Sequence, residues 1–262
     1  MRALDTAASG MRAQELNVQT VANNIANIRT NGYKKQRAEF QDLLYQDLRR
    51  VGSTSSDTGT VVPTGIQLGS GVRFAATSRV LSQGQLEQTN QPLNLAIRGD
   101  GYFEIQLPDG RTAYTRDGSF ERNQNGEIVT LDGYLVGNGI TIPEDAREIS
   151  ISADGQVEVL SGDAVTPTNV GQIDTINFIN PGGLESIGNN LLLETPASGT
   201  PQTGTPGEEG LGDLLQGFVE GSNVEAVAEI SDLISAQRAY ELNSRVISAA
   251  DEMMQAAGAI TQ

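Results

Sequence analysis

The 262-residue chain contains no cysteine, no histidine and no tryptophan. Without thiolate or imidazole, the soft-ligand zinc, copper and iron centres are excluded, as are nucleophilic sites built on Cys–His or Ser–His–Asp. No disulfide can form, so the redox compartment leaves no trace in the sequence. Aromatic residues make up only 5% against 30 glycines, a balance that predicts many turns around modest cores. No apolar run approaches the ~20 residues of a membrane-spanning helix, and no membrane insertion is expected. The first residues, MRALDTAASGMRAQELN, break every apolar run with a polar one and lack the apolar stretch of a cleaved secretion signal.

Basic charge is scarce and unevenly placed. Lys and Arg number 17 against 33 Asp and Glu, for a net charge of −16, and not one Lys or Arg lies between Arg147 and Arg238. Nucleic-acid affinity needs clustered basic charge, so nucleic acid is not an expected partner.

What is present falls into two helical ends around a β-rich middle. Leu4, Met11, Val18 and Ile25 recur every seven residues, with Ala7, Val21 and Ile28 as a companion row broken at Gln14. Asn31-Gly32 is read as the stop of this helix. Near the C-terminus Ala226, Leu233, Tyr240, Ile247 and Met254 are spaced by seven. Ala236, Ala250 and Ala257 follow three residues on, and Ala239, Val246, Met253 and Ile260 form a flanking row. A helix apolar over more than one seam is expected to meet more than one neighbour. Ser222 or Asn223 is the expected N-cap. The two helices suit an antiparallel coiled coil within the chain, and their small Ala positions also suit close packing against other subunits.

Between them, turn motifs alternate with short strand-like runs. Gly99-Asp100-Gly101, Pro108-Asp109-Gly110, Asn125-Gly126, Asp132-Gly133 and Asp154-Gly155 separate runs such as YFEIQL, EISIS and QVEVL. The expected fold is mainly β with terminal α-helices that pair as a coiled coil. The expected divisions are 1–35 with 221–262 as the helical part, 36–95 with 205–220 as a connecting region carrying a long loop at 50–65, and 96–204 as the β domain. Residues 195–210, TPASGTPQTGTPGEEG, read as a linker.

Candidate chemical motifs are weak. Glu121, Asn123, Asn125, Gly126 and Asp132 occupy calcium-loop positions, but the acidic ends are exchanged and no helices flank them, so a hairpin turn explains them better. Arg98-Gly99-Asp100 matches a cell-adhesion tripeptide that turn chemistry explains equally well. No cofactor is expected, and an enzyme has no support. A secreted β-rich binding protein forming a closed oligomer, with this tripeptide or the acidic middle as its surface, is the alternative of another class.

One feature resists helix propensity. Asn23, Asn24 and Asn27 crowd the end of the first helix, where asparagine competes for backbone hydrogen bonds.

The segments ANNIANIRTNGYKKQRAEFQDLLYQ at 22–46 and GSNVEAVAEISDLISAQRAYELNSRVISAADEMMQ at 221–255 closely resemble the two hallmarks of the bacterial flagellar rod and hook family. The stretches at 93–136 and 183–195 resemble its β domain, so the likeness covers nearly the whole chain. Length and a single β domain fit a subunit of the distal part of the rod better than a hook or proximal rod subunit. The resemblance implies export without a cleaved signal through the flagellar export apparatus. It further implies self-assembly into a hollow helical tube, with the terminal helices inside. Proximal rod proteins, hook or hook-junction proteins, and the peptidoglycan and outer-membrane ring proteins are the implied partners. Implied subunit contacts are Leu4, Met11, Val18, Val21, Asn23, Asn24, Ile25, Asn27 and Ile28, with Leu233, Tyr240, Ile247 and Met254. The loop at 50–65 is expected to act as an inter-subunit brace.

Overall fold

An N-terminal helix, α1 (Arg2–Ala26), and a C-terminal helix, α2 (Ala226–Ile260), enclose a chain otherwise built of short strands. The computed structural model describes residues 2–50, 64–162, 166–208 and 210–260. Most of the 50–65 loop lies outside these residues, and the side chains of Ala257 and Ile260 lie outside the described ones. Neither helix contains proline, and both are rich in alanine and in straight-chain residues that lose little rotamer freedom in a helix.

The chain divides into two units. Unit 1 comprises residues 1–25, 36–78 and 225–262, and unit 2 comprises 26–35 and 79–224, so the chain passes from one to the other four times.

Unit 1 holds both helices and two ribbons. Tyr45–Arg49 pairs antiparallel with Ile66–Gly69, and Gln36–Asp42 pairs with Val72–Arg79. Phe40 meets Phe74 edge to face at 5.9 Å.

Unit 2 is built on a nine-stranded antiparallel sheet. Tyr102–Gln106 lies near its centre, and the period-2 pattern of YFEIQL buries both of its faces. Phe103 and Ile105 join Leu95, Ile97, Phe120 and Ile128 in the larger core, while Tyr102 joins Tyr114, Ile176 and Phe178 in a second. Edge-to-face contacts, Phe103–Phe120 at 5.1 Å and Tyr114–Phe178 at 4.8 Å, stiffen a fold poor in aromatics. A three-stranded sheet of Ala146–Ile151, Gln156–Ser161 and Thr168–Gln172 adds Val157 and Val159 to the larger core.

Three sequence expectations need correction. α1 ends at Ala26, and Asn31-Gly32 belongs to the turns that follow, because the carbonyls of Asn27 and Thr30 are taken by the N–H groups of Thr30 and Tyr33. Residues 195–210 are not a linker: Gln202–Gly204 pairs with Thr175–Asn177, and Ser198 is fully buried. The Ser and Thr side chains of this stretch satisfy the local backbone, with Thr195 Oγ1 donating to the Gly183 carbonyl at 2.6 Å. Finally, neither Ser222 nor Asn223 caps α2. The Glu225 carbonyl accepts the first helical hydrogen bond, from Glu229 N–H. The Asn223 oxygen is spent on Lys35 N–H at 2.7 Å, and its amide donates to the carbonyls of Val80 and Ser82.

Candidate assembly site on the terminal helices

Asn24 shows why asparagine stands at the end of α1. Its Nδ2 donates to the Gln36 carbonyl at 2.8 Å, and its Oδ1 accepts Gln36 N–H at 3.0 Å. The side chain thus acts as a strand partner for the first residue of the returning chain. The same Nδ2 donates to Glu229 Oε2 of α2 at 3.0 Å. Asn24 is 1% exposed, so in this conformation its amide serves its own chain. Asn23, one residue earlier, points to the exposed side of the helix.

The excursion between Ile25 and Gln36 belongs to unit 2 and carries Asn27 and Ile28, both half-buried there. Its fastening explains the TNGYK motif. Gly32 has φ 68°, and a Cβ there would lie 2.6 Å from the Asp117 nitrogen, so only glycine fits. Its N–H donates to the Glu220 carbonyl at 2.7 Å. Lys34 is buried and pairs with the Glu220 carboxylate, while its Nζ also donates to the Ser82 carbonyl at 2.9 Å. Arg116, buried as well, approaches the other Glu220 oxygen at 3.3 Å. Burial pulls the Lys34 ammonium below the usual lysine range, against the opposing pull of Glu220. One carboxylate thus contacts two buried cations.

On the helices, the face buried within the chain is not the row of large apolar residues. Ala7, Ala13, Thr20, Val21 and Asn24 are buried on α1, and Glu229, Ala236 and Ala250 on α2. Leu4, Met11, Val18 and Ile25, like Leu233 and Ile247, are only half-buried, and Tyr240 and Met254 are exposed. Along α2, Val227, Ile230, Ile234, Leu242, Val246 and Met253 are exposed too. Periodicity finds large apolar side chains. It missed Gly10, Asn17, Glu229 and Asn243, whose only signal is their place in the same seven-residue repeat.

The other candidate motifs are absorbed by the fold. Asn123 Oδ1 accepts the N–H groups of Asn125 and Glu127, closing the hairpin between Glu121–Arg122 and Ile128–Val129. Arg98 is bound by Asp213, its cross-strand partner. Among the described residues no helix is long and apolar enough to cross a membrane.

The sequence comparisons agree with this arrangement of helical ends and β middle. Residues 4–34 match the family described as flagella basal body rod protein, residues 96–159 the flagellar hook protein FlgE/F/G D1 domain, and residues 215–260 the flagellar basal body rod FlgEFG protein C-terminal region. The chain is similar to the flagellar basal-body rod protein FlgG of Caulobacter vibrioides, 58% identical over 256 residues and 98% of each chain. It is 49% identical to FlgG of Agrobacterium fabrum over 97% of each chain, and 38% identical to FlgG of Bacillus subtilis, again over 97% of each. The chain belongs to the FlgG family of flagellar basal-body rod proteins.

Proposed function

We propose that the chain is the structural subunit of the distal rod, assembling with copies of itself into a hollow helical shaft that carries motor torque outward to the hook. The observation that carries this reading is the apolar surface left open on α2. Ile230, Ile234, Tyr240, Leu242, Val246 and Met253 are between 43% and 66% exposed on a helix of 35 residues, about 50 Å long. Apolar area of that extent on a surface helix calls for a protein partner. Copies joined by a heterologous contact that does not close give a helical tube.

On this reading the terminal helices line the tube, and the acidic surface of the subunit favours rotation within the surrounding peptidoglycan and outer-membrane rings without adhesion. Proximal rod proteins lie at one end and hook or hook-junction proteins at the other. The subunit leaves the cytoplasm through the flagellar export apparatus without a cleaved signal, assembles in the periplasm and performs no catalysis.

Electron cryotomography of cell envelopes from an in-frame deletion tests this. The expected basal body is arrested as a short rod inside the periplasm and bears no hook. A rod that crosses the outer membrane but lacks a hook would move the subunit to the hook, and intact flagella would refute the assignment.

A further inference from the structure

Two observations fix how α1 and α2 lie against each other. Asn24 Nδ2 donates to Glu229 Oε2 at 3.0 Å, and a Cβ on Gly10 would stand 2.9 Å from Asn243 Nδ2. In both pairs the residue numbers add to 253, so the helices run antiparallel with no slip between the two contacts. The same register sets Asn17 across from Ala236. In these three layers a polar side chain on one helix meets Gly or Ala on the other, except at Asn24, which meets Glu229. Asn24 and Glu229 are each 1% exposed.

Such a row contributes little apolar area, so it is a weak source of pairing strength. It discriminates between registers instead. A slide of one heptad in either direction separates Asn24 from Glu229 and faces Gly10 with an alanine, Ala236 or Ala250. Each slide therefore deprives a buried polar group of its hydrogen bond and opens a gap where Asn243 had filled the space left by a missing Cβ. A glycine in the middle of a helix is unfavourable by itself, and the close approach of Asn243 is what its absent side chain permits. A single polar residue in a helix seam is a known means of fixing register at the expense of stability.

We propose that the Asn24–Glu229 and Gly10–Asn243 layers form a register lock that selects one antiparallel pairing of the terminal helices. The lock is a property of the single chain and does not depend on the rod assignment. Its effect is to present the large apolar residues of both helices in one fixed alignment.

The cysteine-free chain allows a direct test by disulfide trapping in dilute solution, where intramolecular and intermolecular products separate by mass. Ala13→Cys with Tyr240→Cys reports the observed register, whereas Ala13→Cys with Leu233→Cys or with Ile247→Cys reports a one-heptad slide in either direction. The first pair should cross-link at least about tenfold faster than the other two, the ratio expected when a slide leaves one buried polar group unpaired. In a Glu229→Leu/Asn243→Leu background, which leaves Asn24 bound to Gln36, the advantage should fall to about twofold or less, since the discriminating groups are gone. Glu229→Gln keeps an acceptor for Asn24 and should keep the advantage. Equal rates for the three pairs, no cross-link in any of them, an unchanged ratio in the leucine background or a lost ratio in the glutamine variant would each overturn the lock.

Discussion

The side-chain amide of Asn24 and the backbone of Gln36 hold each other through two hydrogen bonds, of 2.8 and 3.0 Å, across an interval of 12 residues. A side chain here does the work of a neighbouring strand, at the point where the chain re-enters unit 1. Asn24→Ala removes these bonds and leaves backbone groups of Gln36 unsatisfied, which should cost about 2–3 kcal/mol. Hydrogen exchange at the Gln36 amide should accelerate at least tenfold, about the effect of 1.4 kcal/mol. Glu15→Ala, exposed on the same helix, should change stability by no more than about 0.5 kcal/mol. Equal effects at the two positions would contradict the role assigned to Asn24.

The buried charges around Glu220 predict an order of severity. Glu220→Ala leaves Lys34 and Arg116 buried without their shared anion and should destabilise unit 2 by about 3–5 kcal/mol. Lys34→Met leaves the Glu220–Arg116 pair in place and should cost less. Chemical denaturation of the three proteins measures both, and a Lys34→Met loss as large as that of Glu220→Ala would show that the carboxylate does not serve two cations.

Gly32→Ala combines a left-handed backbone with a collision against the Asp117 nitrogen. The sum should be about 2–4 kcal/mol, from an unfavourable conformation and an overpacked contact. Gly110→Ala makes a matched control: its φ is 83°, but no atom stands within 4 Å of an added Cβ, so only the conformational part of about 1–2 kcal/mol should appear. Thermal unfolding of both variants separates the two contributions.

Tyr114 predicts an alkaline response. Burial, reinforced by the Glu194 and Glu104 carboxylates, pushes its phenol from 10.0 up to about 12. In the folded state the phenol stays protonated where the unfolded chain would already have lost the proton. Its contribution is therefore complete below pH 10 and is lost as the pH rises toward 12. A series of melting temperatures between these limits should fall less steeply for Tyr114→Phe than for the parent chain.

The open face of α2 predicts a separation of folding from assembly. Tyr240→Ala and Met254→Ala should each change the stability of the single chain by about 0.5 kcal/mol or less, since both residues are exposed there. Motility and rod length in complemented cells should nevertheless fall sharply. Normal rods with both changes would remove these residues from the assembly surface.

Local features of this molecule were legible in its sequence, and distant ones were not. Asp109-Gly110, Asn125-Gly126, Asp132-Gly133 and Asp154-Gly155 reveal turns because glycine alone adopts φ near +83° without strain, and all four do so. YFEIQL announces a strand by alternation. Asn24 gave only a puzzle, because its partner Glu229 lies 205 residues away and no periodicity links them. Lys34 and Glu220, 186 residues apart, are equally silent, each looking like an ordinary surface charge until the fold buries it. The heptads located both helices through their large side chains. The buried row joins Ala7, Val21, Ala236 and Ala250, which the heptads did pick out, to Thr20, Asn24 and Glu229, polar residues that a hydrophobic pattern does not register.

The four passages of the chain between its units also impose an order of completion. Every residue of unit 2 precedes Glu225, whereas unit 1 needs α2, which begins only at Ala226. A polypeptide emerging N-terminus first can therefore finish the β architecture while α1 still waits for the helix that matches it. The contacts between α1 and α2 span more than 200 residues, the slow, long-range class that follows local structure in time. The apolar rows of the helix pair are thus the last surfaces to be composed, on a subunit whose other half is already folded.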